Sequence, residues 1–428
     1  MIEQALFIPG ISSMQLLSWT NGDTYRTNYF TNTENKDWCY SKAGIISAVY
    51  MLQKQAELGV LNERKQGTKL IVDSGGFQIA TGKLAFDWDN FSTSAKNDAI
   101  RDKILAVQNE YADYAPIIDV PSLAMLRMPH ILPSVRKCLD YTIYNIEYYK
   151  KQTVTTKLLN VLQGTNSAQA NEWFDGVHDD GYFAGYALGG HTAQNLPLML
   201  EMILRCLEDK NAPELIHILG QSRIGWVPVL SSIKTAIKKV SPETEFCYDT
   251  ISAVASAVRG QAVYGWKKSN KKITKAVAKL PMVDIEQYGD LVNPFDTVAL
   301  NGLTYAEWML KSNSGANSNQ FYSLLASHNL EMTDRSHNEL IKLFAVDLLT
   351  SDPTGYKNWT STDRGFLPFE YTHLHHLIND IIVNKDYDLI DKYRNRLNAA
   401  SIADQKNCTT IFDQLFGEEE GDLFDEVA

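Results

Sequence analysis

Several polar residues in this sequence each end a short apolar run, and their types suit acid–base and recognition chemistry. Asp73, Asp119 and Asp249 end three of these runs, Gln163 ends a fourth and Gly189-Gly190 ends a fifth. Carboxylates can act as nucleophile or general base, an amide can read a polar edge, and glycine lets a ligand approach the backbone. We therefore expect a pocket with two acid–base partners and a recognition edge.

The segment DSGGFQ, residues 73–78, is the clearest of these run ends. It follows the apolar run 69–72, which predicts a short buried strand, and its glycine pair allows a sharp turn. Each polar residue also has an ordinary structural alternative. Asp73 and Asp119 can stabilise turns, Asp249 can cap a following helix, and Gln163 can belong to a plain loop.

Short strands that alternate with amphipathic helical segments predict a parallel α/β sheet. Eight strands over this length indicate a (β/α)8 TIM barrel, in which the strand ends gather on the face that carries active sites. An open doubly wound sheet is the alternative, although the sequence has neither a GxGxxG helix start nor a P-loop. The predicted strands are 6–10, 70–75, 116–121, 158–164, 182–190, 216–221, 245–250 and 261–266.

The chain is expected to divide into two parts. Residues 1–290 form the predicted TIM-barrel catalytic domain, with an insertion at about 15–65. Residues 291–428 form a mainly helical C-terminal region, and its acidic end, 417–428, is predicted to be disordered. This region can complete the barrel, carry a nucleic-acid surface or form a homo-oligomer contact, and the sequence leaves these alternatives open.

Charge and cysteine content indicate which partners and which cellular compartment to expect for the protein. With 40 basic and 51 acidic residues, the net charge is 40 − 51 = −11, so the bulk charge does not indicate a nucleic-acid binder. The stretch 266–279 nevertheless holds six lysines and no acid, which fits a solvated helix face or a phosphate-binding segment. Five scattered cysteines without a CxxC pair indicate a reducing, cytoplasmic location, and no apolar run predicts a membrane partner.

Five ordered motifs carry a resemblance to a known family. They are DSGGFQ (73–78), NVLQG (160–164), GYALGG (185–190), ILGQS (218–222) and FCYD (246–249). In type, order and spacing they resemble motifs of the tRNA-guanine transglycosylase superfamily of (β/α)8-barrel enzymes. The resemblance covers about residues 65 to 265.

The resemblance implies a base-exchange reaction that needs no cofactor for its chemistry. Asp249 matches the family nucleophile, which attacks the sugar C1′, displaces guanine and forms a covalent aspartyl-glycosyl intermediate. Asp73 matches the general base that deprotonates the incoming 7-deazaguanine. Two displacements restore the anomeric configuration.

The resemblance also implies a pocket for guanine and 7-deazaguanine bases. Asp119 would accept from the N1–H and the exocyclic amine, and Gln163 with the Gly189-Gly190 backbone would meet the opposite polar edge. Phe77 and Leu219 match the apolar residues on the two faces of the base. Ser74 and Gln78 are candidate supporting residues behind this pocket.

Two departures from the family pattern affect the metal site and the substrate. The family's Cys3His zinc site cannot form, because no cysteine lies between Cys247 and Cys408. His328 resembles the surroundings of the family's zinc histidine, and His373 and His376 have a helical i,i+3 spacing that a metal site could use. Helix-surface or packing roles are the alternative for these histidines. Structural zinc therefore stays an open question.

The segment after Asp249 lacks the stretch with which the tRNA enzymes hold the anticodon loop. These departures resemble the DNA-modifying branch of the superfamily, called DpdA, which inserts a 7-deazaguanine such as preQ0 into phage or bacterial DNA. A phage-encoded member would act in the host cytoplasm. DNA is the expected partner, and tRNA or a catalytically silent subunit are the alternatives. The candidate phosphate contacts are Arg259, Lys267, Lys268, Lys271, Lys272 and Lys275.

Overall fold

The computed structural model describes a barrel and several segments that come after it in the chain. The described residues are 5–11, 42–179, 181–209, 211–221, 226–250, 261–269, 272–279, 282–284, 320–322 and 369–400. Arg259, Lys271, His328 and the tail 417–428 lie outside this set. Among the described residues, no helix has the length and apolarity needed to cross a bilayer.

Eight parallel strands form one sheet in which the last strand in the chain lies beside the first. The sheet order is β1-β8-β7-β6-β5-β4-β3-β2. A parallel bridge between Gly10 and Ile45 then brings the β1 end against β2, so the sheet is nearly closed. This arrangement confirms the predicted (β/α)8 barrel. The strands are β1 Leu6–Pro9, β2 Ala43–Ser47, β3 Lys69–Asp73, β4 Tyr114–Pro116, β5 Lys157–Leu162, β6 Gly185–Leu188, β7 Leu215–Ile218 and β8 Glu245–Thr250.

Helices connect these strands, as the amphipathic segments predict. The longest, at 17 residues, follows β3. The most strongly apolar follows β6; it begins at Leu196 after an Asn195 cap and has Pro197 as its second residue. They are α1 Ala48–Gln53, α2 Gly76–Ala80, α3 Ala95–Tyr111, α4 Ala124–Arg127, α5 Val135–Tyr149, α6 Ser167–Val177, α7 His191–Gln194, α8 Leu196–Leu207 and α9 Val227–Val240. A 3-10 segment, Gln55–Glu63, follows α1.

The assignment of 261–266 as the eighth barrel strand is wrong. The strand that completes the set of eight is instead β2, Ala43–Ser47, which pairs with β3 over its full length. The predicted insertion at about 15–65 therefore contains barrel structure in its second half. Small and polar residues such as Gly44 and Ser47 weaken the apolar signal of β2, although the strand itself is buried.

Residues 261–266 instead belong to β9, Gln261–Ser269, which pairs antiparallel with β10, Lys272–Lys279. The lysine-rich stretch is therefore a β-hairpin rather than a helix face. Lys267 and Lys268 lie on β9, and Lys272 and Lys275 lie on β10. A second antiparallel pair joins β11, Met282–Asp284, to β12, Gln320–Tyr322.

The described part of the C-terminal region contains three helices, namely α10 Phe369–Asn384, α11 Tyr387–Lys392 and α12 Arg394–Ala400. The buried side chains of Ile378, Ile381 and Ile382 recur at helical spacing on α10, which packs against α9 and α8. The Tyr387 hydroxyl also donates to Glu208 at 2.9 Å. These helices therefore extend the outer helical layer of the barrel.

Candidate active site

Asp73 lies at the C-terminal end of β3, where the chain turns into α2. Leu70, Ile71 and Val72 are buried, which fixes the strand in the sheet. Gly75 has φ +90°, a conformation that favours glycine, and its amide donates to Asp73 Oδ2 at 3.1 Å. A Cβ on Gly76 would lie 2.7 Å from Asp119 Oδ1, so the glycine allows α2 to approach the next carboxylate.

Asp119 lies beyond β4 in a segment that side chains of α5 hold in place. The Asn145 amide donates to the Ile118 carbonyl at 3.0 Å, and the Val120 amide donates to the Thr142 hydroxyl at 2.9 Å. The Asp119 side chain is buried, and Gln163 Nε2 donates to its Oδ2 at 2.9 Å. Two of the predicted recognition residues are therefore hydrogen-bonded to each other.

Gly189 and Gly190 close this recognition edge from the end of β6. A Cβ on Gly189 would lie 2.7 Å from Gln163 Nε2, and a Cβ on Gly190 would lie 2.7 Å from Gln163 Oε1. The same Gly189 Cβ would lie 3.5 Å from Leu219 Cδ1. Gln163 and Leu219 thus both lie against the glycine pair at the end of β6.

Asp249 lies on β8, and its Oδ1 accepts two hydrogen bonds. His217 Nε2 is 3.0 Å away, and the Gly220 amide donates at 2.9 Å. The Asp249 side chain keeps 13% of its surface exposed, whereas His217 is fully buried. The carboxylate is therefore anchored through one oxygen and still reachable from solvent.

The three carboxylates influence one another electrostatically. Burial raises the pKa of Asp73 to about 6; the Gly75 amide opposes this shift, the charge on Asp249 adds to it, and His217 opposes it. Burial likewise raises the pKa of Asp119 to about 7, against the Gln163 hydrogen bond and together with the charge on Asp73. Asp73 thus lies within electrostatic range of both other aspartates, and a carboxyl with such a pKa can exchange protons near neutral pH.

His217 is a site residue that the sequence patterns did not single out. It lies between Ile216 and Ile218 on β7, and its Nδ1 lies 3.0 Å from Cys247 Sγ. Period-2 alternation places its side chain on the face opposite that of its apolar neighbours, which is the signal that marks it. His191, directly after Gly190, was also missed; its Nδ1 is buried without a hydrogen-bond partner among the described residues, and burial lowers the pKa of this ring.

Cys247, His217 and Asp249 contact one another in a row. A cysteine beside a histidine could act as a thiol nucleophile with its general base. A thiol nucleophile must meet its substrate, yet Cys247 is only 1% exposed inside the barrel. Asp249 is the accessible end of this row. The arrangement therefore favours attack by the carboxylate over attack by the thiol.

The remaining predicted pocket residues surround the Asp73 turn. Phe77 is partly exposed on α2, beside the glycine pair. Ser74 is fully buried, and its hydroxyl has no hydrogen-bond partner among the described residues. Gln78 Oε1 accepts a 3.4 Å hydrogen bond from the Ser47 hydroxyl, so this amide supports the turn from the β2 side.

The residues do not fit the zinc site of the resembled family. Cys247 faces His217 inside the barrel, and His373 and His376 lie on α10 in the outer helical layer, where His376 is exposed. Within the described part of the chain, no group of three or more His, Cys, Asp or Glu side chains could hold a metal ion.

The fold and the site define a (β/α)8-barrel protein whose strand ends carry three neighbouring aspartates and, beside the Gly189-Gly190 pair, a Gln163 amide hydrogen-bonded to Asp119. A scan against models of known protein families finds no match, and a search of curated proteins finds none either.

Proposed function

We propose that this protein is a DNA-guanine transglycosylase, which exchanges guanine in DNA for a 7-deazaguanine base such as preQ0. The observation that carries the proposal is the placement of Asp73 and Asp249 on different strands, close enough that the charge on Asp249 contributes to the raised pKa of Asp73. A double displacement needs this pair, one carboxylate as nucleophile and one group that exchanges a proton with the base.

In this reaction Asp249 attacks C1′ and forms an O–C1′ bond while the C1′–N9 bond breaks. The electron pair leaves with guanine, whose N9 takes a proton from Asp73, so that Asp73 is ionised for the next step. The incoming 7-deazaguanine then loses its N9 proton to Asp73 and attacks C1′. The O–C1′ bond breaks, and its electron pair returns to Asp249. The recognition edge of Asp119, Gln163 and Gly189-Gly190 supplies acceptors and donors for the polar edge of a guanine-type base.

The chain beyond Asp249 favours DNA over tRNA as the substrate. The lysine-rich β9–β10 hairpin comes shortly after β8, and its Lys267, Lys268, Lys272 and Lys275 supply positive charge for phosphate contacts. The cysteines with which the resembled tRNA enzymes bind zinc are missing. In duplex DNA the target guanine must leave the stack, at a cost of a few kcal/mol, before C1′ can be reached.

The test is incorporation of isotope-labelled guanine and labelled preQ0 into duplex DNA and, in parallel, into unmodified tRNA. Nucleosides from both polymers are analysed by mass spectrometry, with Asp249→Ala as the matched control. We expect label in DNA and none with the variant. Label in tRNA alone would replace DNA by tRNA as substrate. Label in neither polymer would reject the enzymatic proposal in favour of a catalytically silent subunit.

A further inference from the structure

The two oxygens of the Asp249 carboxylate have different surroundings. Oδ1 accepts from His217 Nε2 at 3.0 Å and from the Gly220 amide at 2.9 Å. An ionised carboxylate only accepts hydrogen bonds, so Nε2 must carry a hydrogen. Oδ2 has no hydrogen bond to any described residue. In the proposed reaction, Oδ2 is the oxygen that attacks C1′.

We propose that His217 is a positioning residue that pairs with Asp249 as a cation and promotes the second displacement of the base exchange. This inference rests on the proposed function. His217 is fully buried and contacts the Asp249 carboxylate, so it acts on the sugar through that carboxylate.

Three titratable side chains act on His217. Asp249 and Cys247 contact its two ring nitrogens at 3.0 Å each, and Asp73 interacts with the ring through its charge. Burial disfavours the charged ring, but the Cys247 sulfur and the Asp249 carboxylate outweigh this effect, and the pKa of His217 lies well above its ordinary value. Since the ring is shielded from water, the Asp249 carboxylate in direct contact with its Nε2 is a main balancing charge.

The charge on Asp249 disappears and returns during the proposed reaction. When Oδ2 bonds to C1′, the carboxylate becomes a neutral ester and a protonated His217 loses its counter-ion. A buried cation without a counter-ion is costly. When the O–C1′ bond breaks, the electron pair returns to Asp249 and the ion pair forms again. A protonated His217 therefore makes Asp249 a better leaving group and prevents the ester from accumulating.

The kinetic test separates formation of the ester from its resolution. Rapid-quench assays would use a guanine-containing DNA duplex, with preQ0 added in a second mixing step. His217→Gln keeps an N–H donor but cannot carry the charge, and we expect it to slow resolution by about tenfold or more while formation changes by less than about threefold. His217→Leu removes the donor as well and should slow both steps.

The matched control is His178→Gln, which changes a histidine at the C-terminal end of α6 and hence at the opposite end of the barrel. It should leave both rates as in the unchanged protein. If His217→Gln slows both steps equally, or slows neither, the proposed role of the charge on His217 is wrong.

A second measurement tests the ion pair without any activity. The 15N imidazole signals would be titrated with pH in the full protein and in Asp249→Asn, with no nucleic acid present. We expect His217 to stay charged to higher pH in the unchanged protein than in the variant. An identical titration in both would overturn the inference. If His217 loses its charge at lower pH in Asp249→Asn, but the unchanged protein forms no covalent adduct with DNA or tRNA, the ion pair is supported. Its kinetic role and the proposed function are then both overturned.

Discussion

The side-chain amide of Gln163 donates a 2.9 Å hydrogen bond to Oδ2 of Asp119, and this bond joins the ends of two neighbouring barrel strands. The Gln163 oxygen lies 3.4 Å from the Ser122 hydroxyl. Both side chains are almost fully buried. The bond therefore orients a carboxylate and an amide before any base arrives, which reduces the ordering that binding would otherwise require.

Replacing Gly189 by alanine should weaken base binding without unfolding the barrel. The new Cβ would lie 2.7 Å from Gln163 Nε2, the end of a flexible side chain, so the amide must move away from Asp119. Loss of a buried hydrogen bond costs about 1–3 kcal/mol, so affinity for a guanine-type base should fall by about tenfold. Calorimetric titration with preQ0 measures the affinity, and thermal unfolding checks the fold.

Gly59→Ala is the control for Gly189→Ala, because no atom lies within 4 Å of its added Cβ. It should leave affinity unchanged. If Gly189→Ala binds preQ0 as tightly as Gly59→Ala, the Gln163 edge does not contact the base.

Base binding should strengthen as pH rises through about 7. Burial raises the pKa of Asp119 to about 7, so below that pH the free protein holds a proton on this carboxyl. Accepting N1–H from a guanine-type base requires the ionised form, and binding at pH 6 must therefore release a proton. Calorimetry in buffers of different ionisation enthalpy measures this release. Asp119→Asn should bind the base weakly at every pH. If the variant shows the same pH dependence of binding as the unchanged protein, Asp119 is not the group that accepts the N1–H.

Asp73→Asn should slow base exchange by about 10²–10⁴-fold, the usual contribution of a general base. The variant keeps the size of the side chain and an oxygen for the Gly75 amide, so the turn should persist. Single-turnover assays with labelled preQ0 measure the rate. Exchange at the original rate would remove Asp73 from the reaction, and thermal unfolding checks that the turn and the fold persist.

Arg101→Leu should destabilise the protein by about 1–3 kcal/mol, because it removes buried hydrogen bonds from the guanidinium to Asn145 Oδ1 and to the Phe91 carbonyl. Arg101 is fully buried, with its Nε donating to Asn145 Oδ1 at 2.8 Å and its Nη1 2.9 Å from Asp98. Asn145 in turn holds the Ile118 carbonyl beside Asp119. Urea unfolding measures the loss, and preQ0 affinity should fall as well.

Arg136→Leu is the control for Arg101→Leu. Arg136 pairs with Asp140 and Glu172 on the exposed surface, where such pairs contribute about 0–1 kcal/mol. A loss in Arg101→Leu no larger than in this control would show that the buried arginine is dispensable.

The sequence alone determined which residues lie at the barrel mouth. Asp73, Asp119, Gln163 and Asp249 each end an apolar run, and the carboxyl ends of parallel strands meet at one end of a barrel. Local order along the chain therefore sufficed to predict that these side chains would be neighbours. Six of the eight barrel strands, all except β2 and β4, were found in the same way, since their apolar residues are contiguous. The predicted strand 116–121 meets β4 only at Pro116.

Only the tertiary structure decided what depends on pairing between distant segments. The β2 strand is short and contains a glycine and a serine, so its place beside β3 follows from hydrogen bonding in the sheet. The lysine-rich stretch is a hairpin because β9 pairs antiparallel with β10. His217 and Asp249 are 32 residues apart, and their 3.0 Å contact exists because the β7–β8 register brings His217 opposite Cys247, one inward-facing position before Asp249. Strand register sets such contacts, and no local pattern encodes it.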